Sequence, residues 1–338
     1  MKGFSRYSIG LPVVIGLAVF FAIFYKEYDS SLFRGLTVDA KMIAGVVLAV
    51  ILILMRDAGL MLRFRQMSAY ALSWRQVFNV NVLCEFISAV TPSSVGGSSL
   101  IVLFLKKEGV EMGRASAIMV ACLFLDELFL VLLCPLILLF FSADELFGAS
   151  NLFSSSIKLL FIATYSVVLL WTVVLFVALF KRPNYVKSLL QLIAKLPVLR
   201  RWKDKIEVFA TDLALSSGEL SNQSMRFWFK AMGSTCLAWI CRFAVVNALL
   251  FAFSEQNGHL LAFARQLILW IVMTVAPTPG GSGVSEYMFK EYYESFFPIT
   301  GVALIVAFVW RIITYYLYLL LGFLVIPSWI TKSKDKEE

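Results

Sequence analysis

Six ionisable side chains stand where the surrounding sequence is apolar. Asp126 and Glu127 fall near the middle of the run 115–141, Arg242 near the middle of 228–253, and Arg311 near the middle of 299–326, while Glu85 and Glu286 flank two interruptions rich in proline and glycine. A charge inside an apolar span costs roughly 2.5–3.5 kcal/mol on insertion scales and as a rule faces a cavity or a partner. A guanidinium can grip a phosphate through two parallel hydrogen bonds, so Arg242 and Arg311 are candidates for an anionic lipid headgroup. Tyr315 lies one turn beyond Arg311 on the same helix face. The surplus carboxylates suit a cationic group or proton coupling. In the structural alternative, Glu286 neutralises Arg311, and Asp126 or Glu127 neutralises Arg242.

The two interruptions are Thr91-Pro92-Ser93-Ser94-Val95-Gly96-Gly97 and Ala276-Pro277-Thr278-Pro279-Gly280-Gly281-Ser282-Gly283. Pro277 and Pro279 each remove a backbone donor and end the preceding helix. Gly280, Gly281 and Gly283 permit unusual backbone angles and close approach. The helix that follows is expected to point unpaired N–H groups into a cavity, a site for an anion, with Glu286 in its first turns as a cap or a partner for a cation. Backbone of this kind is tolerated at membrane depth only where protein or a wet cavity satisfies it. A plain kink packed by its neighbours is the alternative.

These elements sit in a chain of 338 residues that is 60% hydrophobic and 15% charged, against about 25% charged in soluble domains. Several apolar runs reach the 20 or so residues that a span requires. The sequence therefore reads as an all-α polytopic membrane protein, a single transmembrane domain over 1–338. The net charge of +8 comes from Lys and Arg in short connections, which act as topology signals and headgroup contacts, so no nucleic-acid partner is expected. The five cysteines lie inside apolar runs without metal or redox spacing, and His259 is the only histidine. No metal site and no cofactor are expected. Gly280-Gly281-Ser282-Gly283 also fits the pattern around the nucleophile of rhomboid intramembrane serine proteases, but His259 is the only candidate base and precedes the hairpin.

Lys2 and Arg6 place the N-terminus inside, and the run 9–25, which lacks a small-residue cleavage site, is expected to be a retained first span. A second span leads back to a basic segment holding Arg56, Arg63, Arg65 and Arg75, read as cytoplasmic. Keeping Lys106, Lys107 and Arg114 inside requires 77–105 to enter and return, and placing the tail 331–338 inside requires 260–294 to do the same from the other face. About six full spans and two re-entrant hairpins of opposite orientation result, with both termini cytoplasmic, in the cytoplasmic (inner) membrane. Paired broken segments of this kind point to an inverted repeat with a site between the halves. Segment 184–222 reads as amphipathic helices on the cytoplasmic surface or packed on the ends of the spans.

Pro279-Gly280-Gly281-Ser282-Gly283-Val284-Ser285-Glu286, the earlier Pro92 with Gly96 and Gly97, and Arg311 followed by Tyr315 and Tyr316 together resemble the flippase-like family that includes the transmembrane region of lysylphosphatidylglycerol synthases. The first interruption lacks the charged residue often found there in relatives. The resemblance covers roughly 10–326 and implies two re-entrant hairpins and movement or presentation of a polar lipid headgroup. In bifunctional relatives a separate cytosolic domain attaches an amino acid to the lipid. Here the sequence ends at Glu338 soon after the last span, so aminoacylation by this chain alone is not expected.

Three readings follow. The first is a flippase or transporter for an anionic phospholipid or polyprenyl-phosphate-type lipid. The second is a membrane-embedded transferase acting on a lipid-linked phosphate or sugar, with Glu85, Asp126, Glu127 and Glu286 as acid/base groups. The third is a non-transporting partner of another membrane enzyme, working through 184–222.

Overall fold

The computed structural model describes residues 38–91, 95–148, 152–181, 203–276, 278, 280–297 and 301–334. The span expected at 9–25, Pro92, Pro277, Pro279, residues 184–202 of the surface segment and the last four residues of the tail lie outside the described residues. The described secondary structure is helical: α1 Ala40–Met67, α2 Trp74–Val90, α3 Val95–Lys107, α4 Met112–Phe140, α5 Ala143–Phe147, α6 Leu152–Phe176, α7 Lys203–Ser221, α8 Met225–Phe253, α9 His259–Met273, α10 Val284–Tyr293, α11 Val302–Arg311 and α12 Leu317–Lys334.

Helix starts carry the expected chemistry. The Asp39 carboxylate accepts from the Met42 N–H at 2.7 Å, and Ser73 forms a capping box with Gln76, each satisfying an amide that the first turn leaves open. Among the described residues, five stretches are long and apolar enough to cross a bilayer: Ala40–Met67, Met112–Phe140, Ser155–Lys181, Met225–Phe253 and Val302–Ile326. Large apolar side chains such as Leu139, Phe140 and Leu159 face outward along these stretches, as a surface in contact with hydrocarbon requires.

α1 and α8 cross closely because small residues line their contact. A Cβ on Gly45 would lie 2.8 Å from the Ala248 carbonyl oxygen, and one on Gly59 would lie 2.9 Å from that of Ser234. Without a hydrophobic drive between helices in lipid, such close approach supplies much of the packing energy. α7 lies against the start of α4, where Gly113 makes room for Asp212. The described part of the surface segment is thus packed on a span end.

Two pairs of short helices interrupt the spans. α2 and α3, of 17 and 13 residues, would extend about 25 and 20 Å. Their outer ends are tied where the Gln76 amide donates to the Glu108 carbonyl at 2.9 Å, and Trp329 of α12 donates to the Glu108 carboxylate at 2.9 Å. The outer ends of α9 and α10 are tied where the Tyr293 hydroxyl donates to the Ala262 carbonyl at 2.9 Å and Arg265 donates to the Tyr292 carbonyl.

The first hairpin opens near the C-terminal end of α1, since Met67 leads within a few residues to Ser73. The second opens near its N-terminal end, where Lys41 donates to the Ser254 carbonyl at 2.9 Å and Ser254 donates to the Phe296 carbonyl at 2.6 Å. At the inner ends the tips meet: the Gly280 N–H donates to the Thr91 carbonyl at 3.1 Å.

Candidate functional site: a charged cavity at the hairpin tips

A cavity of about 290 Å³ lies beside this meeting point, lined from α1, α2, α3, α4, α8, α9, α11, α12 and the second hairpin tip. Its first charged group is built on α1. Arg56 is 1% exposed; it reaches Asp57 at 3.0 Å, contacts Glu85 of α2 and lies 5.1 Å over the Tyr318 ring. The Tyr318 hydroxyl in turn donates to Asp57 at 2.6 Å. Glu85 also accepts from Arg242 of α8 at 3.1 Å. The Arg242 guanidinium sits 4.5 Å over Trp270 and 5.1 Å over Trp239, in cation–π range of both rings.

Two turns along α1 from Arg56, Arg63 binds Asp126 of α4 through both terminal nitrogens, at 2.5 and 2.9 Å, and donates to Thr235 at 3.1 Å. Trp239 also donates to Asp126, at 2.7 Å. Its neighbour Glu127 lines the cavity without a cation partner among the described residues, and its Oε2 is buried and unbonded.

The third group holds the second hairpin. Arg311 ends α11, and the π-helical turn Ile312–Tyr316 follows it. Wide turns of this type re-aim side chains, and here Arg311, Tyr315 and Tyr318 all reach the cavity wall. Arg311 donates to Glu286 at 3.0 Å, to the Gly280 carbonyl at 3.1 Å and to Ser282 at 3.3 Å. The other Glu286 oxygen accepts from the Gly283 N–H at 2.8 Å and the Ser285 hydroxyl at 2.7 Å.

Gly280, Gly281 and Gly283 all have positive φ. A Cβ on Gly280 would strike the Tyr315 ring and approach the Ala89 carbonyl oxygen to 2.8 Å, so the glycine allows both the backbone angle and the tip-to-tip contact. The Tyr315 hydroxyl donates to that carbonyl at 3.1 Å.

Of the residues singled out in the sequence, Glu85, Asp126, Glu127, Arg242, Arg311, Tyr315, Gly280 and Gly281 are brought together on this cavity. Glu286, 1% exposed, lies behind the wall. Gly283 caps α10 next to it, and Gly96 and Gly97 fall in the first turn of α3. Three expectations need correction. Two amides at the start of α10 are already taken: Glu286 accepts from the N–H of Gly283, the residue before the helix, and the Gly281 carbonyl accepts from that of Ser285 at 2.9 Å. Arg242 pairs with Glu85, not with Asp126 or Glu127, because Arg63 already occupies Asp126.

Arg56 and Arg63 are not in a cytoplasmic connection. They belong to a 28-residue helix and are buried in the core of the charge cluster. A signal for them exists in the sequence: Arg56 and Asp57 interrupt an otherwise apolar stretch, and Arg63 recurs seven residues later, on nearly the same helix face. Ser282 and His259 form no catalytic pair, since His259 starts α9 and Ser282 follows its far end, about 20 Å of helix away. Ser282 instead donates to Tyr315 at 3.1 Å.

Spans, opposed hairpins and an internal ionic cavity define a multi-pass helical membrane protein with a polar site enclosed among its helices. Residues 7–322 match the family described as the lysylphosphatidylglycerol synthase TM region. The chain belongs to that family. It is also similar to a UPF0104 membrane protein of Archaeoglobus fulgidus, at 25% identity over 273 residues, 78% of this chain and 79% of that protein.

Proposed function

We propose that the protein is a flippase or transporter that moves or presents a phosphate-bearing lipid, an anionic phospholipid or a polyprenyl-phosphate-type lipid, across the cytoplasmic (inner) membrane. In this reading the run 9–25 is a sixth span, both termini are cytoplasmic, and the two hairpins are re-entrant from opposite faces. The observation that carries it is the pair of hairpins that open at opposite ends of α1 and meet at their tips beside a cavity lined by four arginines.

Opposed broken segments around a central site are how secondary transporters expose one site to either face in turn. Charged residues inside a bundle mark a path for polar groups. Arg242 supplies the phosphate grip, and the hairpin tips separate the two sides. The cavity, at the small end of ligand-site volumes, takes a headgroup while the chains remain in the bilayer.

Protein reconstituted in liposomes is expected to accelerate exchange of headgroup-labelled lipids between leaflets. Exchange no faster than in empty liposomes, over a panel of anionic and isoprenoid lipids, overturns the reading. Recovery of chemically altered lipid transfers the case to the transferase.

A further inference from the structure

Among the described residues, Asp57, Glu85, Asp126, Glu127 and Glu286 stand in and around the cavity against Arg56, Arg63, Arg242 and Arg311, five carboxylates against four cations. The pairings leave one carboxylate over. Asp57 is taken by Arg56 and Tyr318, Glu85 by Arg56 and Arg242, Asp126 by Arg63 and Trp239, and Glu286 by Arg311, Gly283 and Ser285. Glu127 lines the cavity with its Oε2 buried and unbonded, and it has no cation partner among the described residues.

The side chains that face this space differ in whether they can accept a proton. The guanidinium groups of α1, α8 and α11 have no acceptor. Cys84, Cys122, Tyr315 and Tyr318 on the same wall are of types that are ordinarily neutral near pH 7 and titrate by losing a proton. α3 and α9 bring no titratable side chain to the cavity. α6 packs on α4 through Tyr165, whose hydroxyl donates to the Val131 carbonyl at 3.2 Å, and α7 places Asp212 against Gly113, about 20 Å of helix from Glu127. Protonating Glu85 or Asp126 would break an arginine pair. Protonating Glu127 breaks none.

A phosphate drawn to Arg242 brings negative charge into a cavity that already holds the surplus carboxylate. The two positions are joined through one side chain: Arg242 lies 5.1 Å over Trp239, and Trp239 donates at 2.7 Å to Asp126, the residue before Glu127. An anion beside a carboxyl favours its protonated form, more strongly in an enclosed site than in water.

We infer that Glu127 is a proton-binding site of the cavity, and that an anionic headgroup enters together with one proton, which converts the Glu127 carboxylate to a carboxylic acid. This rests on the lipid-handling function proposed above and adds a second ligand to it. The step needs no other reactant: the proton comes from water on the side from which the headgroup enters and leaves with it. A headgroup that crosses with that proton moves one unit less of negative charge through the membrane potential.

Titration calorimetry of the purified protein in detergent, repeated in buffers of different ionisation enthalpy, counts the protons taken up on binding. The probe is dihexanoyl phosphatidylglycerol, a phosphodiester; a monoester would itself titrate near neutral pH. In wild type the uptake should approach one proton per lipid bound within the range from about pH 5 to about pH 8, and affinity should fall as pH rises, by up to about tenfold per pH unit. The sign follows from the proton being a reactant in binding. Glu127→Gln, which keeps the shape of the protonated side chain, should bind without this uptake, with an affinity that is flat in pH and exceeds that of wild type at the alkaline end. His259, whose type ordinarily titrates in this range, is present in both proteins and cannot account for a difference between them.

Wild-type binding with no proton uptake overturns the inference and leaves the proposed function standing. Uptake that persists in monodisperse Glu127→Gln overturns the assignment to Glu127. So does a monodisperse variant that no longer binds, because a neutral side chain at this position is the form that the bound state requires. Affinity that follows sodium instead of pH gives the site to a metal cation and overturns the proton. No binding of the probe by wild type also overturns the inference; if leaflet exchange is still seen in liposomes the proposed function stands, and without exchange both fall.

Discussion

The two hairpins are built to one plan and fastened differently. Among the described contacts, the tip of the second is locked by side chains: Arg311, Glu286, Ser282 and Ser285 form one buried cluster around three glycines of positive φ. The described bonds joining the first tip to the second end on backbone carbonyls, those of Ala89 and Thr91. The first hairpin's charged residue, Glu85, sits back from the tip, on the cavity, where two arginines share it. One hairpin spends its carboxylate on its own shape and the other presents its carboxylate to the cavity. Two acidic residues beside similar interruptions thus have different work.

The sharpest way to break that contrast is Arg311→Leu. It strands Glu286 at 1% exposure, and removing one partner of a buried pair costs about 3–5 kcal/mol. Thermal unfolding in detergent, followed with a thiol-reactive dye on the cysteines inside the helices, should show the largest loss of any single substitution here. Adding Glu286→Gln should restore much of it, because the stranded charge disappears. Arg311→Lys should fall between, keeping the charge and losing the fork that reaches Glu286 and Gly280 together. If the double variant is no more stable than Arg311→Leu, the pair is not what holds the tip.

Glu85→Gln asks the same of the first hairpin, and the answer should differ. Arg56 keeps Asp57 and Arg242 keeps its two indole faces, so the expected loss of stability is about 1–3 kcal/mol. Lipid exchange in liposomes should nevertheless fall by more than its stability loss suggests, since Arg242 loses the group that orients it. A destabilisation equal to that of Arg311→Leu would erase the distinction. Tyr315→Phe is milder still, deleting the hydroxyl that joins the tips through the Ala89 carbonyl, for about 1 kcal/mol. Its readout is exchange rate, which should change if tip contact gates the cavity and stay constant if the contact is passive.

Much of this architecture was legible in the sequence because its signals are local. Apolar runs mark the five candidate spans among the described residues, and proline with glycine marks both interruptions. The pairing of Arg311 with Glu286 stood among the alternatives because both residues flank the same region. Arg56 and Arg63 were misplaced for a physical reason. Charge-counting assigns an arginine to water unless a partner is visible, and their partners Glu85 and Asp126 belong to other helices. With Arg63 read as part of a connection, Asp126 lacks a cation in the sequence, and Arg242 is left to it or to Glu127. The excess carboxylate was real, but it belonged to Glu127, which only the full set of pairings reveals.

The smallest expected effect lies outside the five candidate spans, at the mouth of the second hairpin. The Glu145 carbonyl accepts from Arg265 at 3.0 and 2.8 Å, and Arg265 in turn reaches the Tyr292 carbonyl, so the short helix α5 helps hold α9 and α10 together. α5 is set by a capping box: the Ser142 hydroxyl and the Ser142 backbone N–H both donate to the Glu145 carboxylate, at 2.7 and 2.8 Å. These bonds, the backbone one first, hold the Glu145 carboxyl below its ordinary range. A carboxylate lowered on folding adds stability that is complete above its unfolded value and is lost as pH falls through its folded value. Ser142→Ala removes the hydroxyl bond and leaves the backbone one. Its melting temperature should therefore lie slightly below wild type at neutral pH, and the gap should narrow once the pH drops below the ordinary carboxylate range. A gap that is constant with pH would assign the loss to the hydroxyl's other bond, which it accepts from the Glu145 N–H at 3.3 Å. No gap at any pH would show that the second hairpin's mouth, unlike its tip, does not depend on this cap.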